Sequence, residues 1–364
     1  MLGPLLLGPL LLGPLLVCSL APGVVGEDGA SSRWFQPSER VATVRLDDAV
    51  AITTIAAGSC IAQAKPIPTL DAALRAQPDV MLLLGDNVYA DADDPAEIAG
   101  AYRTLAARPE FRRLAATVPI LATWDDHDYG RNDAGVEFPA KAASQRVFLE
   151  FFDAPASDPR RARAGVYTSR TVGPEGRRVQ FVLLDTRSFR DPLKLRLQPP
   201  EPPAIGRPGP YAVRRDGATV LGAAQWDWLE QTLLEPADVR IVASSIQVLS
   251  DEHRYEKWGL FGDERDRLLG LLETASGQVV VLSGDRHLGE ISRDAKRGLW
   301  ELTASSLNKP SKWRNERNAF RVGDKFHGAN FGTVSFDWDA GTLSLAVRDE
   351  RGVEVVRADG PIER

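Results

Sequence analysis

Four consecutive ionisable side chains, Asp125, Asp126, His127 and Asp128, come two residues after the apolar run 118–122. Neighbouring carboxylates repel one another and are costly to bury unless a positive charge compensates them. Because a metal ion supplies that charge readily, this stretch predicts a metal site at the end of a buried strand. The alternative interpretation is a solvated acidic turn that contains a histidine by chance.

Metal-competent side chains also follow other apolar runs of the chain. They are Cys60 after 51–57, Asp86 and Tyr89 after 79–84, Gln247 after 239–245, and Asp285 and His287 after 278–282. Sites in open α/β sheets form at the carboxyl ends of the strands, where the loops converge. We therefore expect residues that are far apart in the sequence to meet in one crevice.

The donor types at these positions constrain the metal. A thiolate, a phenolate, a carboxylate and an imidazole together favour a transition metal such as iron. Asp126 and Asp285, with Asp86 able to bridge, are hard oxygen donors that suit calcium or magnesium. The chain has 4 histidines, too few for a histidine-rich binuclear zinc or manganese centre. A mixed pair of sites, one iron-like and one calcium-like, is the prediction.

The elements that must position these side chains are apolar strands that alternate with helical patterns. Strands are predicted at 51–57, 79–84, 118–122, 178–185, 239–245 and 278–284, with an edge strand at 41–46 and antiparallel strands in the tail from 298, notably at 333–338 and 342–347. Helices are predicted at 69–75, 95–116 and 221–234. Continuous apolar strands between helices indicate an α/β domain whose sheet is covered on both faces.

Several segments outside these motifs also carry predictions. Residues 190–216 are rich in Pro, Gly and Arg and predict a long surface loop, interpreted as a lid. Trp226 and Trp228 are expected to pack in the protein core and anchor the helix at 221–234, rather than to form a platform for substrate. His253 and His327 are expected to be ordinary surface or loop histidines.

The first 26 residues are apolar and uncharged, and predict a secretory signal peptide over 1–26, followed by one domain over 27–364. A retained signal anchor is the alternative, although Pro4, Pro9 and Pro14 argue against a clean membrane-spanning helix. A signal peptide predicts a secreted, periplasmic or other secretory-pathway location for the protein. No stable membrane span is expected after the signal is removed. Since Cys18 would leave with the signal, no internal disulfide is expected for Cys60.

Composition and motifs argue against several classes of function. The net charge is −6 and no dense run of Lys and Arg occurs, which disfavours nucleic acid as the main partner. The sequence has neither a Gly-x-Ser-x-Gly motif nor a Walker loop. Serine hydrolase and nucleotide-motor interpretations therefore have no support.

Four motifs, in this order, closely resemble those of the PhoD-like alkaline phosphatases, a family within the calcineurin-like metallophosphoesterases that is related in pattern to the purple acid phosphatases. The motifs are Gly-Ser-Cys60, Leu-Gly-Asp86-Asn-Val-Tyr89-Ala-Asp91, Thr-Trp-Asp-Asp126-His127-Asp-Tyr-Gly-Arg-Asn132-Asp133 and Ser-Gly-Asp285-Arg-His287. The resemblance implies an α/β/β/α sandwich of two mixed sheets flanked by helices.

The resemblance also implies roles for individual residues. The implied metal ligands are Cys60, Asp86, Tyr89 and His287 for a ferric ion (Fe3+), and Asp126 and Asp285, with Asp86 bridging, for a calcium ion (Ca2+). His127 would contact the phosphate and protonate the leaving alkoxide. Further candidates for contact with a metal are Asn132, Gln247 and Asp91.

The activity implied by the resemblance is that of a secreted, metal-dependent alkaline phosphatase that hydrolyses phosphomonoesters with metal-activated water. The expected partner is a small phosphoester substrate. One alternative is a phosphodiesterase that acts on lipid or polymer phosphodiesters. Another is a non-catalytic secreted protein that holds calcium or phosphate with the same acidic cluster. The presence of His127 and Cys60 favours an enzyme, because a calcium-binding protein needs neither.

Overall fold

A computed structural model describes residues 34–41, 44–197, 209–311 and 316–363, besides Met1 and Gly3. The chain divides into two compact units, Met1–Arg33 and Trp34–Arg364, and the second unit carries the strands and helices. The predicted signal peptide over 1–26 and the middle of the predicted lid, 198–208, lie outside the described residues.

The described part of the chain contains thirteen strands and seven α-helices. The strands are β1 (Thr54–Gly58), β2 (Val80–Leu84), β3 (Ile120–Thr123), β4 (Thr168–Val172), β5 (Val179–Leu183), β6 (Val239–Ser244), β7 (Gln278–Ser283), β8 (Gly289–Asp294), β9 (Leu299–Ala304), β10 (Arg321–Phe326), β11 (Asn330–Asp337), β12 (Thr342–Asp349) and β13 (Glu354–Pro361). The helices are α1 (Pro68–Arg75), α2 (Pro95–Ala106), α3 (Pro109–Thr117), α4 (Asp126–Tyr129), α5 (Lys141–Phe151), α6 (Gly222–Thr232) and α7 (Gly262–Thr274).

Two mixed sheets form the centre of the fold. The first has the strand order β13-β12-β11-β1-β2-β3, and β1, β2 and β3 are parallel to one another. The second has the order β10-β8-β9-β7-β6-β5-β4, and β5, β6, β7 and β9 are parallel. Apolar side chains of both sheets share one core between them, while α1, α2, α3 and α5 cover the first sheet and α6 and α7 the second. The predicted α/β/β/α sandwich is confirmed.

Strand β2 illustrates why the apolar segments that predict the strands are apolar at every position rather than at every second one. Met81 and Leu83 point into the core beneath the helices, and Val80, Leu82 and Leu84 point into the core between the sheets. Successive side chains of a strand face opposite sides, so a strand with both faces covered needs apolar residues at every position. Because the strand itself is buried, the polar residues that follow it come at its carboxyl end, at the edge of the sheet.

Three predictions of local structure are wrong. The edge strand at 41–46 is absent among the described residues of that stretch, where Val41 is buried and donates its amide to Phe151 O at 2.9 Å. The helix at 95–116 is two helices, because Pro109 begins α3 and holds Arg108 in an extended conformation. The tail from 298 is not wholly antiparallel, since β9 pairs in parallel with β7.

The histidine and tryptophan predictions have mixed outcomes. Trp226 is buried in the core beneath α6, as predicted, and its indole donates to Glu264 Oε2 at 2.8 Å. Trp228 is partly buried and packs against Tyr167. His253 lies in a loop, as predicted, but its side chain is buried beside Lys257 rather than on the surface. Within the residues that the structure describes, the helices are too short or too polar to cross a bilayer.

Candidate metal centre

The loops after β1, β2 and β9 are joined by main-chain hydrogen bonds at the carboxyl ends of the strands. Ile61 N donates to Asp86 O at 2.8 Å, and Leu307 N donates to Ser59 O at 2.9 Å. The loop after β7 packs against the same place, where a Cβ on Gly284 would lie 2.7 Å from Ser59 Oγ. The two sheets therefore bring their strand ends together at one edge of the sandwich.

The backbone at this edge adopts conformations that side-chain-bearing residues rarely take. Of the eight non-glycine residues with positive φ in the described chain, six belong to the predicted motifs: Cys60, Asp86, Asp91, Asp133, Asp285 and His287. Each such conformation costs about 1–2 kcal/mol and persists where the surrounding structure imposes it, which is characteristic of functional sites.

Gly85 offers a test of how tightly the strand ends are packed. Its φ is +98°, and an added Cβ would lie 2.6 Å from Asp125 Cβ and 2.8 Å from Asp125 N. Gly85→Ala is expected to lower the free energy of unfolding by about 2–5 kcal/mol, from the left-handed backbone and the clash together. Urea unfolding measures this. The control is Gly217→Ala, where φ is +78° but no heavy atom lies within 4 Å, and equal losses would contradict the steric argument.

The predicted ligands of the iron side lie in one cluster. Ligand atoms of Cys60, Asp86 and His287 all lie within 4.8 Å of one another. Cys60 Sγ is 3.4 Å from Asp86 Oδ2, and Tyr89 OH donates to the same oxygen at 2.7 Å. Tyr89 OH is also 3.5 Å from His287 Nε2. The structure thus brings together a thiol, a carboxylate, a phenol and an imidazole from three strand ends.

The imidazole of His287 is oriented by the main chain. Its Nδ1 lies 2.6 Å from the carbonyl oxygen of Lys309, which can only accept a hydrogen bond, so Nδ1 is the protonated nitrogen. Nε2, on the side of Tyr89 and Asp86, is then left with a free lone pair. This is the arrangement usually found for histidines that bind metal ions.

One predicted ligand of the calcium side, Asp126, lies next to this cluster, whereas Asp285 is in none of the ligand clusters found among the described residues. Ligand atoms of Asp86, Asp126 and His127 lie within 4.8 Å of one another, so Asp86 belongs to both clusters. Asp126 is held by the amides of His127, at 2.9 Å from Oδ1, and Asp133, at 2.6 Å from Oδ2. Burial and the charge of Asp126 raise the pKa of Asp285 to about 6, although Arg286 acts in the opposite direction.

His127 forms a short contact with a carboxylate on the outer side of the site. Its Nδ1 lies 2.5 Å from Asp91 Oδ1, and its ring centroid lies 4.3 Å from that of Tyr89. Burial lowers the pKa of His127, but the hydrogen bond with Asp91 and the charge of Asp126 outweigh this and raise it. The contact leaves Nε2 as the nitrogen that can exchange a proton with a ligand.

The electrostatics of the site fit a pair of cations. Asp86 Oδ1 and Asp285 Oδ2 are buried oxygens that accept no hydrogen bond within the described part of the chain. Burial, followed by the charge of Cys60, raises the pKa of Asp86, and burial also raises the pKa of the Cys60 thiol. Buried oxygen and sulfur atoms in this state are stabilised when a positive charge is bound between them. The donor set therefore suits a metal centre.

The three further candidates have different surroundings. Asn132 is exposed on the turn that follows α4. Gln247 is buried, and its amide donates to Glu290 Oε1 and to Thr303 Oγ1, both at 2.8 Å. Asp91 is not a member of the ligand clusters found among the described residues, but it contacts His127, which belongs to the cluster with Asp86 and Asp126.

A buried ion-pair network behind the site was not identified from the sequence. Arg187 Nη2 lies 2.5 Å from Asp125 Oδ1, and Arg187 Nη1 lies 2.7 Å from Glu256 Oε2. Arg190 Nε is 2.9 Å from the other oxygen of Glu256. Arg187 follows the predicted strand at 178–185, and a polar residue in such a position is a signal that could have identified it. Glu256 follows no strand, and nothing in its sequence context signals its position.

Lys309 was also missed. It follows β9, whose parallel pairing with β7 places it beside the predicted ligands. Its Nζ lies 2.9 Å from the centroid of the Tyr89 ring. Sites form at the carboxyl ends of parallel strands, and the sequence did not predict that β9 is one.

Comparisons with known proteins show the family of the chain. Residues 59–331, well over half of the chain, match the family model described as PhoD-like phosphatase. No curated protein matches the sequence significantly.

Solved structures share the fold at low sequence identity. A structure of PhoD has 18% identity and a TM-score of 0.65, covering 88% of this chain and 70% of that one. Purple acid phosphatase PPD1 from yellow lupin (Lupinus luteus) has 13% identity and a TM-score of 0.57, covering 86% and 54%. GAP50, described as the anchor in the inner membrane complex of Plasmodium, has 11% identity and a TM-score of 0.54, covering 86% and 90%. The family match over residues 59–331 shows that the chain belongs to the PhoD-like phosphatase family and is a phosphoric ester hydrolase.

Proposed function

We propose that this chain is a secreted alkaline phosphatase that hydrolyses phosphomonoesters with water at a centre of Fe3+ and Ca2+. The observation that carries the proposal is the shared position of Asp86, which belongs to the cluster with Cys60 and His287 and to the cluster with Asp126 and His127. Asp86 would then be available to both ions of a pair, and two ions held close together would be suited to phosphoryl transfer.

The choice of metals rests on the donors of each cluster. Thiolate, phenolate and imidazole donors from Cys60, Tyr89 and His287 favour iron, whereas the carboxylates of Asp126 and Asp285 favour calcium. When bound, the two cations supply Lewis-acid polarisation of the phosphoryl group and lower the pKa of the attacking water. Metal analysis by mass spectrometry of protein purified without chelators tests the assignment, and two zinc ions per chain would contradict it.

The residues of this chain do the remaining work. Asp126, held by two backbone amides, has a fixed orientation towards the shared Asp86. Asp91 accepts from Nδ1 of His127, so Nε2 is left to hold a proton and to release it to the leaving oxygen of the ester. A leaving alkoxide needs that proton, because it is a strong base. A protein that only binds calcium or phosphate would have no use for this pair.

The test of the proposed function is hydrolysis of p-nitrophenyl phosphate by the purified protein, with calcium and again after chelation. We expect turnover that chelation abolishes and that calcium restores. Bis-p-nitrophenyl phosphate, measured in parallel, reports phosphodiesterase activity. Higher kcat/KM on the diester would replace the proposal by the phosphodiesterase alternative. If folded, metal-loaded protein hydrolysed neither substrate, the result would favour the alternative of a non-catalytic binding protein.

Asp91 should act through His127 rather than on substrate. Asp91→Asn is expected to lower kcat by about ten- to hundredfold, the value of a charge-assisted hydrogen bond lost in the transition state. Steady-state kinetics on an alkyl phosphate measure it, with Asp94→Asn as control because Asp94 caps α2, a position that asparagine also suits. In a His127→Asn background, Asp91→Asn should cause no further loss. An additive loss would contradict the coupling of the two residues.

Secretion is proposed from the apolar first 26 residues. The test is N-terminal sequencing of the protein recovered outside producing cells. Recovery of a chain that begins near residue 27 supports cleavage, whereas full-length chain in the membrane fraction would support the signal anchor.

A further inference from the structure

The segment 305–309 is attached by its main chain to loops on two sides of the candidate ligands. Leu307 N donates to Ser59 O at 2.9 Å, next to Cys60. Lys309 O accepts from Nδ1 of His287 at 2.6 Å. The main chain of Lys309 is therefore fixed at the edge of the centre whatever the charge of its side chain.

The ammonium of Lys309 lies over one of the candidate ligands. Nζ is 2.9 Å from the centroid of the Tyr89 ring, and that ring centroid is 4.3 Å from the ring centroid of His127. None of the described carboxylates is within ion-pair distance of this ammonium. The charge thus lies beside the centre and the proton-donating histidine, without a carboxylate that neutralises it directly.

The negative groups around Lys309 explain why a cation is held there. Burial lowers the pKa of Lys309, and the charges of Asp86, Cys60, Asp91 and Asp126 act in the opposite direction. Once cations are bound, the charges of Asp86, Cys60 and Asp126 are largely neutralised, and an incoming phosphate group becomes a favourable anionic partner for Nζ. A flexible lysine with an ammonium at its end can move from the ring to a phosphoryl oxygen.

We propose that Lys309 is a specificity-determining residue that contacts a terminal phosphoryl oxygen of the substrate and favours phosphomonoesters over phosphodiesters. This inference rests on the proposed function. A monoester carries one more terminal oxygen and nearly one more negative charge than a diester, so an extra cation beside the centre stabilises it more. A cation–π contact alone would stabilise Tyr89 and would not distinguish the two substrate classes.

Lys309→Met, which removes the charge and keeps the chain length, is the decisive variant, with Lys309→Arg as the conservative one. The control is Lys296→Met, an exposed lysine on the turn between β8 and β9, at the opposite end of these strands from the centre. The measurements are kcat/KM on p-nitrophenyl phosphate and on bis-p-nitrophenyl phosphate, and the dissociation constant of inorganic phosphate by calorimetry. All variants are used metal-loaded, with metal content and thermal unfolding recorded.

For Lys309→Met we expect the monoester kcat/KM and the phosphate affinity to fall about ten- to hundredfold, and the diester kcat/KM to change less than about threefold. Lys309→Arg should restore most of the loss. Equal losses on both substrates, no loss on either, or loss of metal would overturn the inference. Phosphate binding is read without turnover, so a protein that binds phosphate through Lys309 but hydrolyses nothing would sink the proposed function while supporting the contact. Hydrolysis by the parent protein with an unaffected Lys309→Met would sink the inference alone.

Discussion

Replacing His127 by asparagine is expected to lower kcat for an alkyl phosphate monoester by about 100- to 10,000-fold. In the proposed mechanism His127, whose Nδ1 is 2.5 Å from Asp91 Oδ1, protonates the leaving alkoxide. With p-nitrophenyl phosphate the loss should be much smaller, because p-nitrophenolate is a weak base that leaves without a proton. Initial rates on both substrates over a range of concentrations measure the difference.

Metal analysis of the same preparations separates proton transfer from metal binding, because His127 also lies in the cluster with Asp86 and Asp126. A His127→Asn protein that keeps its metal and loses mainly alkyl phosphatase activity supports the role of general acid. If the two substrates lost activity equally, or if metal were lost, His127 would be a ligand or a phosphate contact instead. The ratio of the two losses is therefore the informative quantity.

Arg187→Met is expected to lower the free energy of unfolding by about 3–5 kcal/mol, which is the usual effect of removing one partner from a buried ion pair. The Arg187 side chain is 0% exposed and joins Asp125 to Glu256, which are 1% and 2% exposed. Without Arg187, both carboxylates keep their burial but lose a counter-charge. Urea unfolding of the metal-free protein measures the loss. The control Arg177→Met removes an exposed pair with Asp339 and should cost less than about 1 kcal/mol.

A rescue experiment tests whether uncompensated charge is the cause of the Arg187 effect. Adding Asp125→Asn to Arg187→Met removes the carboxylate that is paired with Arg187, whereas Glu256 keeps its ion pair with Arg190. We expect part of the lost stability to return, because a neutral amide is less costly to bury than a carboxylate. A double variant that is no more stable than Arg187→Met would mean that packing around the arginine, and not its charge, is responsible.

Local pattern was sufficient to identify most of the strands that precede the candidate ligands. The strand at 79–84 is predicted because its residues are apolar at every position, and the structure has Val80–Leu84 in that place. Asp86 and Tyr89 come directly after it, and any chain that ends a parallel strand must turn at the sheet edge. The position of these two residues relative to the sheet therefore follows from residues close to them in the sequence.

Long-range pairing was not available from local pattern. Residues Leu299–Ala304 form a parallel strand beside β7, although β8 intervenes in the sequence, and this pairing brings Lys309 to His287. Likewise Arg187 and Glu256 are 69 residues apart, and the ion pair exists only because their loops are buried against each other. The alternating pattern of the tail is compatible with more than one strand order, and a single charged residue in a sequence is compatible with more than one ion-pair partner.

By itself, the sequence determined the donor types and their order along the chain, since a thiol, a phenol, carboxylates and imidazoles each follow an apolar run. It also determined the fold class, because burial on both faces of a strand leaves a pattern in neighbouring residues. Only the tertiary structure decided that Asp86 is shared by two ligand clusters, that Asp91 contacts His127 and that Lys309 lies over Tyr89. The reason is physical: these contacts depend on strand order and on the packing of loops from two sheets, and residues distant in the sequence leave no local trace of them.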